Sequence, residues 1–324
     1  FSAIAGNTHF IDFDLLAQAG LLNTSDYASV NFGEDPTKVD YERIFHARRP
    51  ILEIAVKNFL TKDAFRSDFQ NFEKNNRTWL DDYAEFMAFK EYFGNKALQK
   101  WEDKQLIARQ PKALEKYRVM LKEKIQYFKV TQYFFFQQWK ALKAYANRKG
   151  IQIIGDMPIY VAADSVEVWT KPELFQLDAE RNPRFVAGVP ADQFSSTGQL
   201  WGNPLYDWEA HKKQHYAWWI HRIEESFKIY DVLRIDHFKG FSDYWQVDGK
   251  ADIAKYGCWQ PGPGYDLFKA IKAQLGDLPI IAEDLGNIDD KARKLLTDCG
   301  YPGMKILQFG FEDVSGESLD STHY

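Results

Sequence analysis

The stretch Val232-Leu233-Arg234-Ile235-Asp236-His237-Phe238-Lys239-Gly240-Phe241 starts as a short apolar strand and ends on a carboxylate. Side chains alternate along a strand, so Arg234 and Asp236 share one face while Ile235 enters the opposite packing layer. A carboxylate beside a guanidinium is expected to stay ionised at neutral pH, as a nucleophile must. Two other stretches repeat the pattern: Ile153-Ile154-Gly155-Asp156 and Ile280-Ile281-Ala282-Glu283-Asp284. Acids at successive strand ends build the catalytic centre of a parallel α/β barrel, and a carboxylate pair is the usual equipment of glycoside chemistry. If Asp236 and Glu283 form such a pair in a retaining enzyme, their carboxyls should lie on one rim, roughly 5–5.5 Å apart. The simpler alternative is an Arg234–Asp236 ion pair that caps a strand.

The rest of the chain fits strands separated by helices. The spacing predicts a charged helical region over 39–149, with Pro50 opening a helix whose apolar face is Ile51, Ile54, Ala55, Phe59 and Leu60. A longer helix is expected to carry Phe128, Phe135, Trp139, Leu142 and Ala146 on one buried face and to end at Gly150. Short strands are predicted at 151–154, 232–233, 280–281 and 306–307. Crossover helices between such strands imply a parallel sheet whose carboxyl ends share one rim. That is how Asp156, Asp236 and Glu283 can converge. Residues 162–206, rich in Gly, Pro, Asn, Asp and aromatics, are expected to form a long binding loop.

Composition narrows the function classes. At 324 residues the chain suits one large α/β domain with insertions. A net charge of -5 argues against a nucleic-acid partner, which would need clustered Lys and Arg. No apolar run is long enough to span a membrane. Cys258 and Cys299 lack metal or redox spacing, as unpaired thiols of a cytoplasmic protein would. His237 beside Asp236 is not a ligand set, and neither a metal nor another cofactor is expected; a hydrogen bond to a sugar hydroxyl is the preferred role for its ring. Aromatic residues make up 16% of the chain, which is compatible with a sugar groove, although most should pack in the core.

Taken in order, several motifs carry a family resemblance. They are Phe1-Ser2-Ala3, Ala5-Gly6-Asn7, Gly155-Asp156-Met157-Pro158-Ile159-Tyr160-Val161, Gly188-Val189-Pro190-Ala191-Asp192 and Thr197-Gly198-Gln199. Trp201-Gly202-Asn203-Pro204-Leu205-Tyr206, Arg234 to Gly240, Ala282 to Gly286 and Gly303 to Phe309 complete the set. The chain resembles the amylomaltase, or 4-α-glucanotransferase (disproportionating enzyme), family of the α-amylase clan. The resemblance implies a (β/α)8 TIM barrel, incomplete within residues 1–324, with a helical insertion over 39–149 and a loop-rich substrate-binding subdomain over 162–206. It implies a retaining transfer of α-1,4-glucan segments between maltooligosaccharides, with Asp236 as nucleophile, Glu283 as acid/base and Arg234 in support. Asp156, Tyr160, Phe194, Trp201, Asn203 and His237 would contact the glucan. The chain is expected to be a fragment lacking both ends, with the third active-site acid past Tyr324 and neither Asp313 nor Asp320 placed for that role. Gln193 stands where an aromatic often precedes the phenylalanine, and Lys239 where arginine is common. Hydrolysis by an α-amylase relative and glucan binding without turnover are the alternatives.

Overall fold

The computed structural model describes residues 1–35, 37–191, 195–286 and 288–307. They fall into two compact units, the first comprising Phe1–Ile151 with Asp164–Pro172 and the second Gln152–Ala163 with the described residues from Glu173 onward.

The first unit is helical. Its longest members are Tyr41–Leu60, Arg77–Tyr92 and Lys122–Arg148. The first of these opens well before Pro50, because the Asp40 side chain caps Arg43 N–H. Pro50 therefore sits inside the helix, where its ring removes one backbone bond. Ile51, Ala55 and Phe59 are buried, as expected, but Ile54 and Leu60 are exposed, since the buried stripe is narrower than the apolar one. The long helix corrects the sequence reading in the same way. Phe128 and Phe135 are buried, Trp139 is half-buried and stacks on Phe135 at 5.9 Å, and Leu142 is exposed. Phe135 also explains Gly6, where a Cβ would lie 2.0 Å from its ring. Buried Gln132 bonds both the N–H and the carbonyl of Gly6, at 2.8 and 3.0 Å, and so clamps the amino-terminal motif. Lys90, 3% exposed, is satisfied by the carbonyls of Asn95 and Lys96 and by Asp164 at 2.5 Å. A cleft of about 930 Å³ lined by Tyr92, Phe93, Asp103 and Tyr117 belongs wholly to this unit and contains none of the strand-end acids.

The second unit is α/β, and its described residues form two sheets. Strands β1 (Ile154–Met157), β4 (Val232–Ile235) and β7 (Ile280–Ala282) form a parallel sheet in the order β1-β4-β7. Strands β2 (Phe185–Val189), β3 (Gln199–Pro204), β5 (Asp243–Asp248) and β6 (Gly257–Pro261) form an antiparallel sheet ordered β3-β2-β5-β6. Residues 162–206 are thus not one long loop, for they contain a helix, Val166–Thr170, and two paired strands. Ladder bonds to β5 satisfy the β2 backbone despite its Gly188, and Val186, Val247 and Ala254 form a small core there. Residues 301–307, predicted to include a strand, carry none, although Ala282 N–H still donates to the Pro302 carbonyl at 2.9 Å.

One face of the parallel sheet is a core layer: Leu233, Ile235, Ile280 and Ala282 are at most 2% exposed. Helix Ala217–Ile229 packs on β4 and helix Tyr265–Leu275 packs on that helix in turn. The opposite face carries the polar side chains. Gly155 is required in β1, because a Cβ there would lie 2.1 Å from the Tyr230 ring.

Candidate active site

Register brings the strand-end acids together. Asp156 lies opposite Arg234 in the β1–β4 ladder, and Ile235 lies opposite Ala282 in the β4–β7 ladder. The ladder runs one step further, with Asp236 N–H on the Met157 carbonyl at 3.0 Å and Glu283 N–H on the Ile235 carbonyl at 2.9 Å. Asp156, Arg234, Asp236 and Glu283 consequently project from one face at one end of the sheet, on strands spaced about 4.8 Å apart.

Arg234 is the hub. Its Nη1 reaches Asp156 at 2.5 Å and Asp236 at 3.0 Å, while Nε contacts the Met304 sulfur at 3.0 Å. Burial works against the guanidinium charge, yet the bonds and charges of the two aspartates outweigh it and raise the Arg234 pKa. The Asp156–Arg234 ion pair is an additional engagement of a residue expected to contact the glucan. Two acids now share one cation.

Glu283 has a different environment. Burial pushes its pKa up, the N–H groups of Leu285 and His237 pull it down, the Asp236 charge raises it and Arg234 lowers it, with a net rise. Oε1 accepts from Leu285 N–H at 2.7 Å and Oε2 from His237 N–H at 3.0 Å. The two carboxyls therefore differ in kind, since Asp236 is ion-paired and Glu283 is pushed towards its protonated form. That divergence lets one acid attack while the other donates a proton.

A line of rings leads to the acids. Tyr206 stacks on buried Tyr160 at 5.9 Å, Tyr160 meets Trp201 at 6.3 Å, and Trp201 meets the edge of His237 at 4.9 Å. Trp201 is 36% exposed and so keeps surface for a ligand, with its Nε1 held by Gln199 at 3.2 Å. Burial lowers the His237 pKa to about 4, which leaves the ring neutral at neutral pH. Asn203 has a structural engagement, its amide donating to the Val161 carbonyl at 2.9 Å. Tyr160 is anchored through its neighbours: the Tyr206 hydroxyl and Arg222 both donate to the Ile159 carbonyl, at 2.8 and 3.0 Å. Phe194, Gln193, Asp313 and Asp320 lie outside the described residues.

Elsewhere in this unit, His221, Glu224 and Glu225 sit close enough to share a cation, but Lys228 already bonds Glu225 at 2.5 Å. Cys258 is exposed, whereas burial pushes the Cys299 thiol up to about 12. No helix among the described residues is long and apolar enough to cross a membrane.

Comparison with known proteins matches a family model described as 4-alpha-glucanotransferase over residues 1–324. A 4-alpha-glucanotransferase of Streptococcus pneumoniae is 55% identical over 323 residues, covering 100% of this chain and 64% of that protein. One from Thermus thermophilus is 42% identical over 315 residues, covering 97% of this chain and 62% of that protein. Among solved structures, amylomaltase from Streptococcus agalactiae in complex with acarbose superposes with a TM-score of 0.96 at 58% identity, covering 100% of this chain and 65% of that one. Amylomaltase from Corynebacterium glutamicum, at 16% identity and a TM-score of 0.75 over 97% of this chain and 43% of that one, shares the fold. The chain spans about 64% of the length of its Streptococcus pneumoniae relative.

Proposed function

The chain belongs to the 4-alpha-glucanotransferase family, and from that premise we propose that it supplies the nucleophile and the acid/base of a retaining transfer of α-1,4-glucan segments. The observation that carries the reading is the unlike pair on adjacent strands, Asp236 bonded to Arg234 at 3.0 Å and Glu283 half-buried with a raised pKa.

In the first step an Asp236 oxygen attacks the anomeric carbon and the C1–O bond breaks. Glu283 gives its proton to the departing oxygen, so the released glucan leaves as an alcohol. In the second step ionised Glu283 takes the proton from an acceptor hydroxyl, whose oxygen attacks C1 and expels Asp236. Two inversions give net retention, and both carboxyls return to their starting forms. Arg234 holds Asp236 in position and offsets the acidic charge that Asp156 adds. Asp156, Tyr160, Phe194, Trp201, Asn203 and His237 form the glucan-contacting set. The exposed Trp201 face stacks on a sugar, and the neutral His237 ring is able to donate or accept a hydrogen bond.

Strands β1, β4 and β7 are read as part of a (β/α)8 barrel, with residues 39–149 as a helical insertion and 162–206 as a substrate-binding subdomain. The substrates are maltooligosaccharides and related α-1,4-glucans, and the compartment is the cytoplasm. Neither a metal nor an organic cofactor has a part in the two steps.

The test uses the full-length protein that carries this chain. Asp236→Asn should abolish disproportionation of maltotriose while glucan binding survives. Glu283→Gln with an activated donor, whose leaving group needs no proton, should accumulate a covalent adduct on Asp236 that mass spectrometry of the peptide detects. An adduct elsewhere, or an active Asp236 variant, refutes the assignment. Product analysis with glucose as acceptor separates transfer from hydrolysis.

A further inference from the structure

We infer that His237 acts as a positioning residue through its backbone, its left-handed conformation releasing an N–H from the sheet ladder to fix the plane of the Glu283 carboxyl. The inference rests on the acid/base reading of Glu283 given above.

In a parallel pair, a residue that donates to position 235 of its neighbour should accept, through its own carbonyl, from position 237. Glu283 N–H does donate to the Ile235 carbonyl, at 2.9 Å. The Glu283 carbonyl, however, takes its hydrogen bond from Phe238 at 3.1 Å instead of from His237. The dihedrals of His237, φ 48° and ψ 51°, turn the following peptide so that Phe238 N–H reaches that carbonyl. With the ladder acceptor taken by Phe238, His237 N–H is left for Oε2 of the Glu283 side chain, at 3.0 Å. Two consecutive N–H groups thereby hold Glu283, that of Phe238 by its carbonyl and that of His237 by its carboxyl. Leu285 N–H holds the other carboxyl oxygen at 2.7 Å.

The left-handed region is uncommon for non-glycine residues, though histidine enters it more readily than most, and the surroundings of His237 help to hold it there. The ring of His237 lies against Trp201 at 4.9 Å. On another side it lies over Gly240, where a Cβ would come within 3.0 Å of the imidazole. Among the described residues, the charged groups that act on Glu283 are Asp236 and Arg234. Nearby Lys239 is bonded to Asp289 at 3.0 Å, and Asp284 accepts from Met304 N–H at 2.7 Å. A carboxyl that must first give and then take a proton along one direction benefits from a fixed plane in both steps.

The test is the pH profile of kcat/KM for maltotriose in the full-length protein, whose basic limb reports the protonated Glu283. His237→Gly and His237→Asn tolerate the left-handed conformation and should leave that limb in place, even if loss of the ring lowers the rate. His237→Val, which disfavours it, should move the limb up by about one pH unit through loss of a charge-assisted hydrogen bond. His237→Ala makes the same comparison if the valine variant does not fold. Movement of the limb by all the variants alike, or by none, overturns the inference. Glu283→Gln distinguishes the two levels: activity retained there overturns the acid/base reading itself, whereas an inactive Glu283→Gln with an unmoved His237→Ala limb overturns the positioning role alone.

Discussion

Replacing Gly155 with alanine should damage the site without touching any acid. The added methyl would lie 2.1, 2.2 and 2.5 Å from three carbons of the Tyr230 ring. Ordinary carbon contacts begin near 3.5 Å, so the ring or the strand must retreat by more than about 1 Å. Overpacking of that kind typically costs about 1–3 kcal/mol. The movement is not harmless to function, because the next residue, Asp156, bonds Arg234 at 2.5 Å and that guanidinium also holds Asp236. Denaturant unfolding of the full-length protein should show the loss, and maltotriose disproportionation should fall with it. Tyr230→Ala, costly alone, should recover much of the penalty when combined with Gly155→Ala, so the double-mutant cycle should give a coupling of about 1 kcal/mol or more. If Gly155→Ala leaves stability within about 0.5 kcal/mol of the parent, the close approach of Tyr230 to β1 is not what requires glycine there.

His211 is 1% exposed, and burial lowers its pKa to about 4. A depressed histidine contributes stability that is present above its ordinary value near 6.5 and is lost as pH falls through 4. Unfolding measured across that window should show a slope worth up to about 3 kcal/mol, reduced in His211→Phe; an equal slope in the variant would refute the burial argument. Lys90→Met should strand the carbonyls of Asn95 and Lys96 and the Asp164 carboxylate. A cost of about 3–5 kcal/mol is expected on thermal or denaturant unfolding, and a neutral outcome would mean that water replaces the amine.

The acid-bearing strands were legible because each combines a short apolar run with a carboxylate at its end, and alternation then fixes which side chains share a face. The Asp156–Arg234 bond was not legible, since it depends on register between strands far apart in the chain. Strands β2 and β3 were hidden by Gly188, Pro190 and Gly202, turn-forming residues that local reading assigns to a loop. Ladder pairing of β2 with β5, a non-local contact, and of β3 with β2 overrides that preference. The exposure of Leu142 and Ile54 has the same origin: periodicity shows an apolar stripe, and only packing decides how much of it is covered. His237 gave no sign of its left-handed backbone, because the residue type is compatible with either conformation.

The order β1-β4-β7 also sets a timetable for synthesis. Ile154 in β1 pairs with Val232, 78 positions later in the chain, and Asp156 finds Arg234 across the same interval. A ribosome adding about 5–20 residues per second leaves β1 without its β4 partner for roughly 4–16 s. The helical segment 41–148 leaves the exit tunnel before it and closes its backbone bonds within each helix, although Arg49 must wait the same 78 positions for Tyr127. A nascent β1 is thus a strand in waiting, and its four residues, broken by a glycine and ending next to a charge, give a passing chain little to template on.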